Sequence, residues 1–249
     1  MPLSFAVIAV LVWFLATSFN NNKHWMIPSP VSILRVFIEH PVLILSHAVT
    51  TINETVIGLF LSILLGFVTA AAMDQCNIFK KVFYPYIIAS QTIPIITLAP
   101  LVILWFGYGV ASKIFVVILV CFFPITLNLF DGFSQVNIEQ LRLFKSMNAS
   151  SWQIFLRLKL PNALPAFFTG LKLAVSYSVM AAIIGEWLGG ESGLGIYMTR
   201  ATKSYQTAHV FAIILLITVF SLFLYGLVAF IERIVLKWRF TRLSEYIDT

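Results

Sequence analysis

The chain reads as an all-α integral membrane protein with about six transmembrane helices, and three observations lead there. Its 249 residues are 60% hydrophobic and only 10% charged, a balance that a soluble folded monomer does not tolerate. The apolar residues come in long unbroken runs rather than short alternating segments, which indicates helices and not a barrel. Charge-free windows long enough to cross about 30 Å of hydrocarbon recur along the sequence.

Taken in order, the first window runs from Pro2 to Asn22. It lacks a basic leading segment and is longer than the apolar core of a secretory signal, so it is expected to remain as the first helix. Thr55 to Met73 is the second, a long run from Val82 to Ser112 the third, and Ile114 to Phe130 the fourth. The fifth lies around Phe167 to Leu188, with Lys172 and Glu186 towards its opposite ends. Val210 to Ile231 is the sixth. Cys76 and Cys121 show no pairing pattern and read as packing residues.

Lys and Arg set the orientation. With the N-terminus inside, the inner side collects Lys80, Lys81, Arg142, Lys145, Arg157, Lys159, Arg233, Lys237, Arg239 and Arg242, with Lys172 at a border. The outer side holds Lys23, Arg35, Lys113, Arg200 and Lys203. Both termini are therefore expected in the cytoplasm. A basic cytoplasmic face beside anionic membrane lipid accounts for the net charge of +6, and no nucleic acid is needed.

The stretch from Asp131 to Pro165 is far longer than a minimal connection between helices. Its composition predicts two short helices. Asn137 caps the first, Ile138 to Met147, and the second runs from about Ser150 to Leu158 with Ile154, Phe155 and Leu158 on one side and Ser151 and Gln153 more exposed. Asn148 stands at the joint, where Asn readily takes the left-handed backbone that ends a helix. Pro161 and Pro165 are expected to stop the segment before the chain re-enters the membrane. Two readings of this knuckle remain open: a surface helix on the inner leaflet with Trp152 at the headgroups, or a docking helix for a soluble partner.

The segment resembles the cytoplasmic signature of ABC importer permeases, EAA, three residues, Gly, nine residues, Ile, one residue, Leu-Pro. Aligned on Leu160-Pro161, the Ile position is Leu158, the Gly position is Asn148, and the EAA triplet falls on Arg142, Leu143 and Phe144, which depart from the pattern. The runs SMNASSWQIF and LKLPNALPAFFTGLKLAVSYSVMAAIIGEWLGGESGLGIYMTRATKSYQT, with IPSPVSIL and QTIPIITLAPLVILWFGYG upstream, are similar to the branch serving nitrate, taurine, aliphatic sulfonates, riboflavin and thiamine pyrimidine precursors. The resemblance implies a type I ABC importer-like fold with a cytoplasmic coupling helix between helices four and five. It divides the chain into a first helix and outer segment (1–46), a permease domain (47–236) and a cytoplasmic tail (237–249). It implies an ABC ATP-binding subunit, a solute-binding protein and a second permease copy, forming a homodimer in the cell inner membrane. The coupling role falls on Asn148, Ala149, Ser150, Ser151, Trp152, Gln153, Phe155, Leu160 and Pro161.

The chain has no GxxxxGK[ST] phosphate loop of its own, so ATP hydrolysis belongs to a partner. No HExxH, nucleophile elbow or paired carboxylates suggest an enzyme, and neither a cofactor nor a metal site is expected. Gln91, Thr92, Tyr177 and Ser178 are polar at pore depth, and Glu186 and Trp187 stand at the expected outer mouth; these six are the expected translocation path. The spans hold no basic cluster, which favours a flat neutral heteroaromatic over nitrate or sulfonate. SMNASSWQIF and YSVMAAIIGEWLG are most similar to permeases for thiamine pyrimidine precursors of the hydroxymethylpyrimidine type, or for riboflavin. The alternative class, an ion-coupled secondary transporter, calls for intramembrane carboxylates or histidines for ion coupling, or for inverted repeats, and the sequence shows neither.

Overall fold

The computed structural model describes residues 27–238 together with Trp13 and Thr17. The expected first helix, Pro2 to Asn22, otherwise lies outside the described residues, as does the tail from residue 239. No strand occurs among the described residues.

Helix α1, Pro30–Glu39, starts where the Ser29 hydroxyl accepts from the Ser32 amide at 3.2 Å and Pro30 supplies a first residue already set for helix. Helix α2, Pro41–Gln75, begins on another proline and is longer than the expected Thr55 to Met73. His47, Thr51 and Glu54 interrupt the charge-free window but not the helix, because each is buried with a partner.

The expected single run from Val82 to Ser112 is divided. Helices α3, Asn77–Gln91, and α4, Ile95–Phe106, meet at a bend of 109°. Pro94 offers no amide hydrogen and disfavours helical backbone at Ile93, and Gly107, at φ +77°, ends α4 in a conformation that favours glycine. Helix α5, Val110–Ser134, and the short α6, Ile138–Ser146, follow.

Helix α7, Ser151–Ile154, passes through a π turn, Phe155–Lys159, into α8, Leu160–Gly189. Pro161 and Pro165 therefore do not stop the segment, contrary to the sequence expectation. Pro161 falls in the first turn of α8, where a missing amide donor costs little, and the wider π turn before it accommodates the change of register. Helices α9, Leu194–Lys203, and α10, Thr207–Val235, complete the described chain. Among the described residues, four helical stretches are long and apolar enough to span a membrane, namely α2, α5, Ser151–Gly189 and α10, and the bent α3–α4 pair makes a fifth if taken as one crossing.

The core is the seam of α5 and α8, backed by α2. Val116, Val117, Cys121 and Ile125 of α5 pack with Ala174, Val175, Val179 and Ala182 of α8 and with Leu59 of α2. Small residues set the spacing: a Cβ at Gly170 would lie 2.5 Å from the Pro124 carbonyl oxygen, so α8 can approach α5 this closely only with glycine there.

Candidate functional site

At one end of the bundle, the segment between α5 and α8 forms a rigid projection. The Asn137 side chain accepts from the Glu139 amide at 2.8 Å to start α6, and Asn148, at φ +56°, turns the chain out of it. Ser150 and Gln153 then cap each other's backbone: the Gln153 amide donates to Ser150 Oγ at 3.2 Å and the Ser150 amide to Gln153 Oε1 at 2.8 Å. This S-x-x-Q capping box was missed in the sequence, although its spacing could have marked it, and it gives the Gln153 side chain a structural bond besides any docking role.

Ser151, Trp152 and Gln153 are exposed, Ala149 is half-buried, and the Trp152 indole, 64% exposed, stacks on Phe155 with ring centroids 5.7 Å apart. Phe155 is buried against Phe133, at 5.2 Å, and packs with Met73 and Phe130. Leu160 is half-buried and Pro161 exposed. Lys159 Nζ donates to both oxygens of Asp74, near the end of α2, at 2.6 and 2.9 Å. The result is an exposed aromatic ring on a framework fixed by a cap, a buried phenyl ring and an ion pair.

A cavity of about 470 Å³ opens beside the α3–α4 bend, between it, α5 and α8. Of the expected path residues, Gln91 and Tyr177 line it, facing Asn128 of α5 and the apolar Phe123, Leu173 and Met180. Among the described residues, no Lys, Arg, Asp or Glu lines it. Thr92 adjoins it at the bend, its hydroxyl bonded to the Ala89 carbonyl at 2.7 Å. Ser178 is buried, donating to the Val175 carbonyl at 2.8 Å. Asn128 was missed in the sequence, although it is the one strongly polar side chain within Ile114 to Phe130.

Glu186 and Trp187 lie away from this cavity. Trp187 is part-exposed, whereas Glu186 is fully buried in a polar knot at the other end of α8. Three successive amides at the start of α9 have no cap from their own segment and take one from elsewhere. The Gly193 amide donates to His47 Nδ1 at 3.0 Å, the Leu194 amide to Thr51 Oγ1 at 2.8 Å, and the Gly195 amide to Glu186 Oε2 at 2.5 Å. The Thr51 hydroxyl donates in turn to Glu186 Oε1 at 2.6 Å. A carboxylate at a helix N-terminus also meets the positive end of the helix dipole.

Beside the knot, Lys113 Nζ donates to Glu54 Oε1 at 3.0 Å and to the Ser192 carbonyl at 3.3 Å. Lys113, expected on the outer side of the membrane, is only 3% exposed, because Glu54 offers a buried counter-charge 59 residues earlier in the chain. Intramembrane carboxylates do therefore occur, but they are engaged in holding helix ends together. Among the described residues no group of three or more His, Cys, Asp or Glu side chains is placed to hold a metal ion.

Residues 62–237 match the family described as binding-protein-dependent transport system inner membrane component. The chain is 36% identical over 239 residues to the formylaminopyrimidine transport permease protein ThiX of Halalkalibacterium halodurans, covering 96% of this chain and 95% of that one. It is 26% identical over 240 residues to the riboflavin transport system permease protein RibX of Chloroflexus aurantiacus, covering 96% and 89% respectively. In fold it is similar to a solved amino acid ABC transporter chain, at a TM-score of 0.66 and 16% identity, over 79% of this chain and 96% of that one. This all-helical, multi-pass chain, with no phosphate loop of its own, belongs to the binding-protein-dependent transport family and is the membrane permease subunit of an ABC importer, a transport component whose family implies a separate ATP-binding subunit and a solute-binding protein.

Proposed function

We propose that this permease imports a thiamine pyrimidine precursor of the hydroxymethylpyrimidine type. The observation that carries the reading is the uncharged cavity: Gln91, Asn128 and Tyr177 offer neutral hydrogen bonds among Phe123, Leu173 and Met180. A flat neutral ring can stack and hydrogen-bond there. An alkyl sulfonate, taurine or nitrate would find no side-chain cation to offset its desolvation. The 36% identity to a formylaminopyrimidine permease, against 26% to a riboflavin permease, supports the same choice.

The proposed working unit is a homodimer, with both termini in the cytoplasm and the permease domain spanning 47–236. The exposed aromatic side chains around the α3–α4 bend, Tyr86, Trp105 and Tyr108, suit burial against a second copy or lipid. Ser151, Trp152 and Gln153, held by Asn148, Ala149, Ser150, Phe155, Leu160 and Pro161, are the proposed contact with the ATP-binding subunit. A 64% exposed indole on a rigid support is the kind of side chain that anchors such an interface.

Uptake of radiolabelled hydroxymethylpyrimidine into proteoliposomes holding the permease, its ATPase and its binding protein tests the solute. Uptake should be outcompeted by formylaminopyrimidine but not by taurine, and Asn128→Ala or Tyr177→Phe should raise the solute concentration needed for half-maximal uptake. Competition by taurine or riboflavin alone would overturn the assignment.

A further inference from the structure

The proposed docking segment is continuous with the membrane helix it serves. A π turn carries one residue more than α-helical register requires, so Phe155–Lys159 rotates the Ser151–Ile154 face by roughly 100° relative to α8. Two side chains of that turn reach neighbouring helices. Phe155 enters the apolar cluster of Met73, Phe130 and Phe133, and Lys159 meets Asp74 with both carboxylate oxygens engaged. The Asp74 side chain is only 8% exposed and that of Lys159 23%, so the pair is partly shielded from water.

These two contacts differ mechanically. Apolar packing resists compression but permits sliding, whereas the charge-assisted bonds from one ammonium to both Asp74 oxygens hold the turn to α2 against separation as well. Asp74 is the penultimate residue of α2, and Thr51, which caps α9 and bonds Glu186, stands about 35 Å away along the same helix at 1.5 Å per residue. Helix α2 is thus a rod joined to the projecting segment at one end and to the polar knot at the other.

We propose that the Lys159–Asp74 pair is the strut through which α2 follows the docking segment, so that movement imposed at Trp152 reaches the 192–195 segment held by Lys113, His47, Thr51 and Glu186. Asp74 is a positioning residue for coupled transport. The inference rests on the reading of Ser151, Trp152 and Gln153 as the contact with the ATP-binding subunit, a contact that does not include Lys159.

The test uses the complete transporter in proteoliposomes, measuring solute imported per ATP hydrolysed alongside co-purification of the ATPase. Asp74→Asn and Lys159→Met should still assemble with the ATPase and hydrolyse ATP, but import per ATP should fall about tenfold, within the ordinary range of coupling energies. The exchange D74K/K159D should restore most of it, which a loss of general stability would not explain. If the exchanged protein does not assemble, D74E/K159R, which keeps both charges, takes its place with the same expectation. Unchanged import per ATP in Asp74→Asn, or an assembled exchange variant as uncoupled as the single ones, would overturn the strut. Failure of the underlying docking reading shows differently, as wild-type protein that does not retain the ATPase, or as retention indifferent to Trp152.

Discussion

Replacing Glu186 by Ala should destabilise the protein severely, and replacing it by Gln should not. Alanine removes both oxygens from a fully buried site: it strands the Gly195 amide, which now donates at 2.5 Å, and leaves the Thr51 hydroxyl only the longer bond to the His47 carbonyl, at 3.3 Å, in place of one of 2.6 Å. An unsatisfied buried donor costs about 1–3 kcal/mol and the loss of one good hydrogen bond about 0.5–1.5 kcal/mol, so the two together cost about 1.5–4.5 kcal/mol. Glutamine keeps one oxygen for Gly195. Its amide can donate to Thr51 Oγ1 while the Thr51 hydroxyl turns to the His47 carbonyl, already 3.3 Å away, so the loss should be about 1 kcal/mol. At about 2–4 °C per kcal/mol for a chain of this size, thermal unfolding in detergent should fall by about 3–18 °C for Glu186→Ala and by only a few degrees for Glu186→Gln. An Ala variant that melts with the wild type would refute the claim that this carboxylate holds the start of α9.

Gly193→Ala should be harmful in the same assay by at least about 1–3 kcal/mol, since Gly193 has φ +122° and its added Cβ would overlap the Glu186 carboxylate. Lys113→Met should cost about 3–5 kcal/mol by leaving Glu54, 1% exposed, without its counter-charge, and Glu54→Gln in the same protein should recover much of the loss. Phe155→Ala should cost about 3–5 kcal/mol through the cavity it leaves, whereas Trp152→Ala, at 64% exposure, should change stability by no more than about 0.5 kcal/mol.

The legibility of the sequence varied with the range of the interactions involved. Spans such as α5 and α10 are set by local hydropathy, and both were found within a few residues of their ends. The Asn137 cap and the Asn148 turn are local too, and Asn148 takes the left-handed backbone its residue type favours. What escaped depends on partners distant in sequence. The start of α2 was hidden because His47, Thr51 and Glu54 look like interruptions until α8, α9 and Lys113 supply their partners. The continuity of α7 with α8 depends on a π turn, which leaves no mark in hydropathy, so two prolines in sequence read as a stop. Asn128 faces a cavity only because the α3–α4 bend opens one beside it.

Retention of an ATP-binding subunit from the same gene neighbourhood, compared between tagged wild-type permease and the Trp152→Ala, Gln153→Ala double variant, tests the central claim most directly. The account predicts that the wild type retains the ATPase through purification, and that the double variant loses most of it while its helical content and membrane insertion stay intact. Equal retention by both would remove the docking role from residues 148–161. No retention by a well-folded wild type would contradict ATP-driven import by this chain and return ion-coupled transport as the working mechanism.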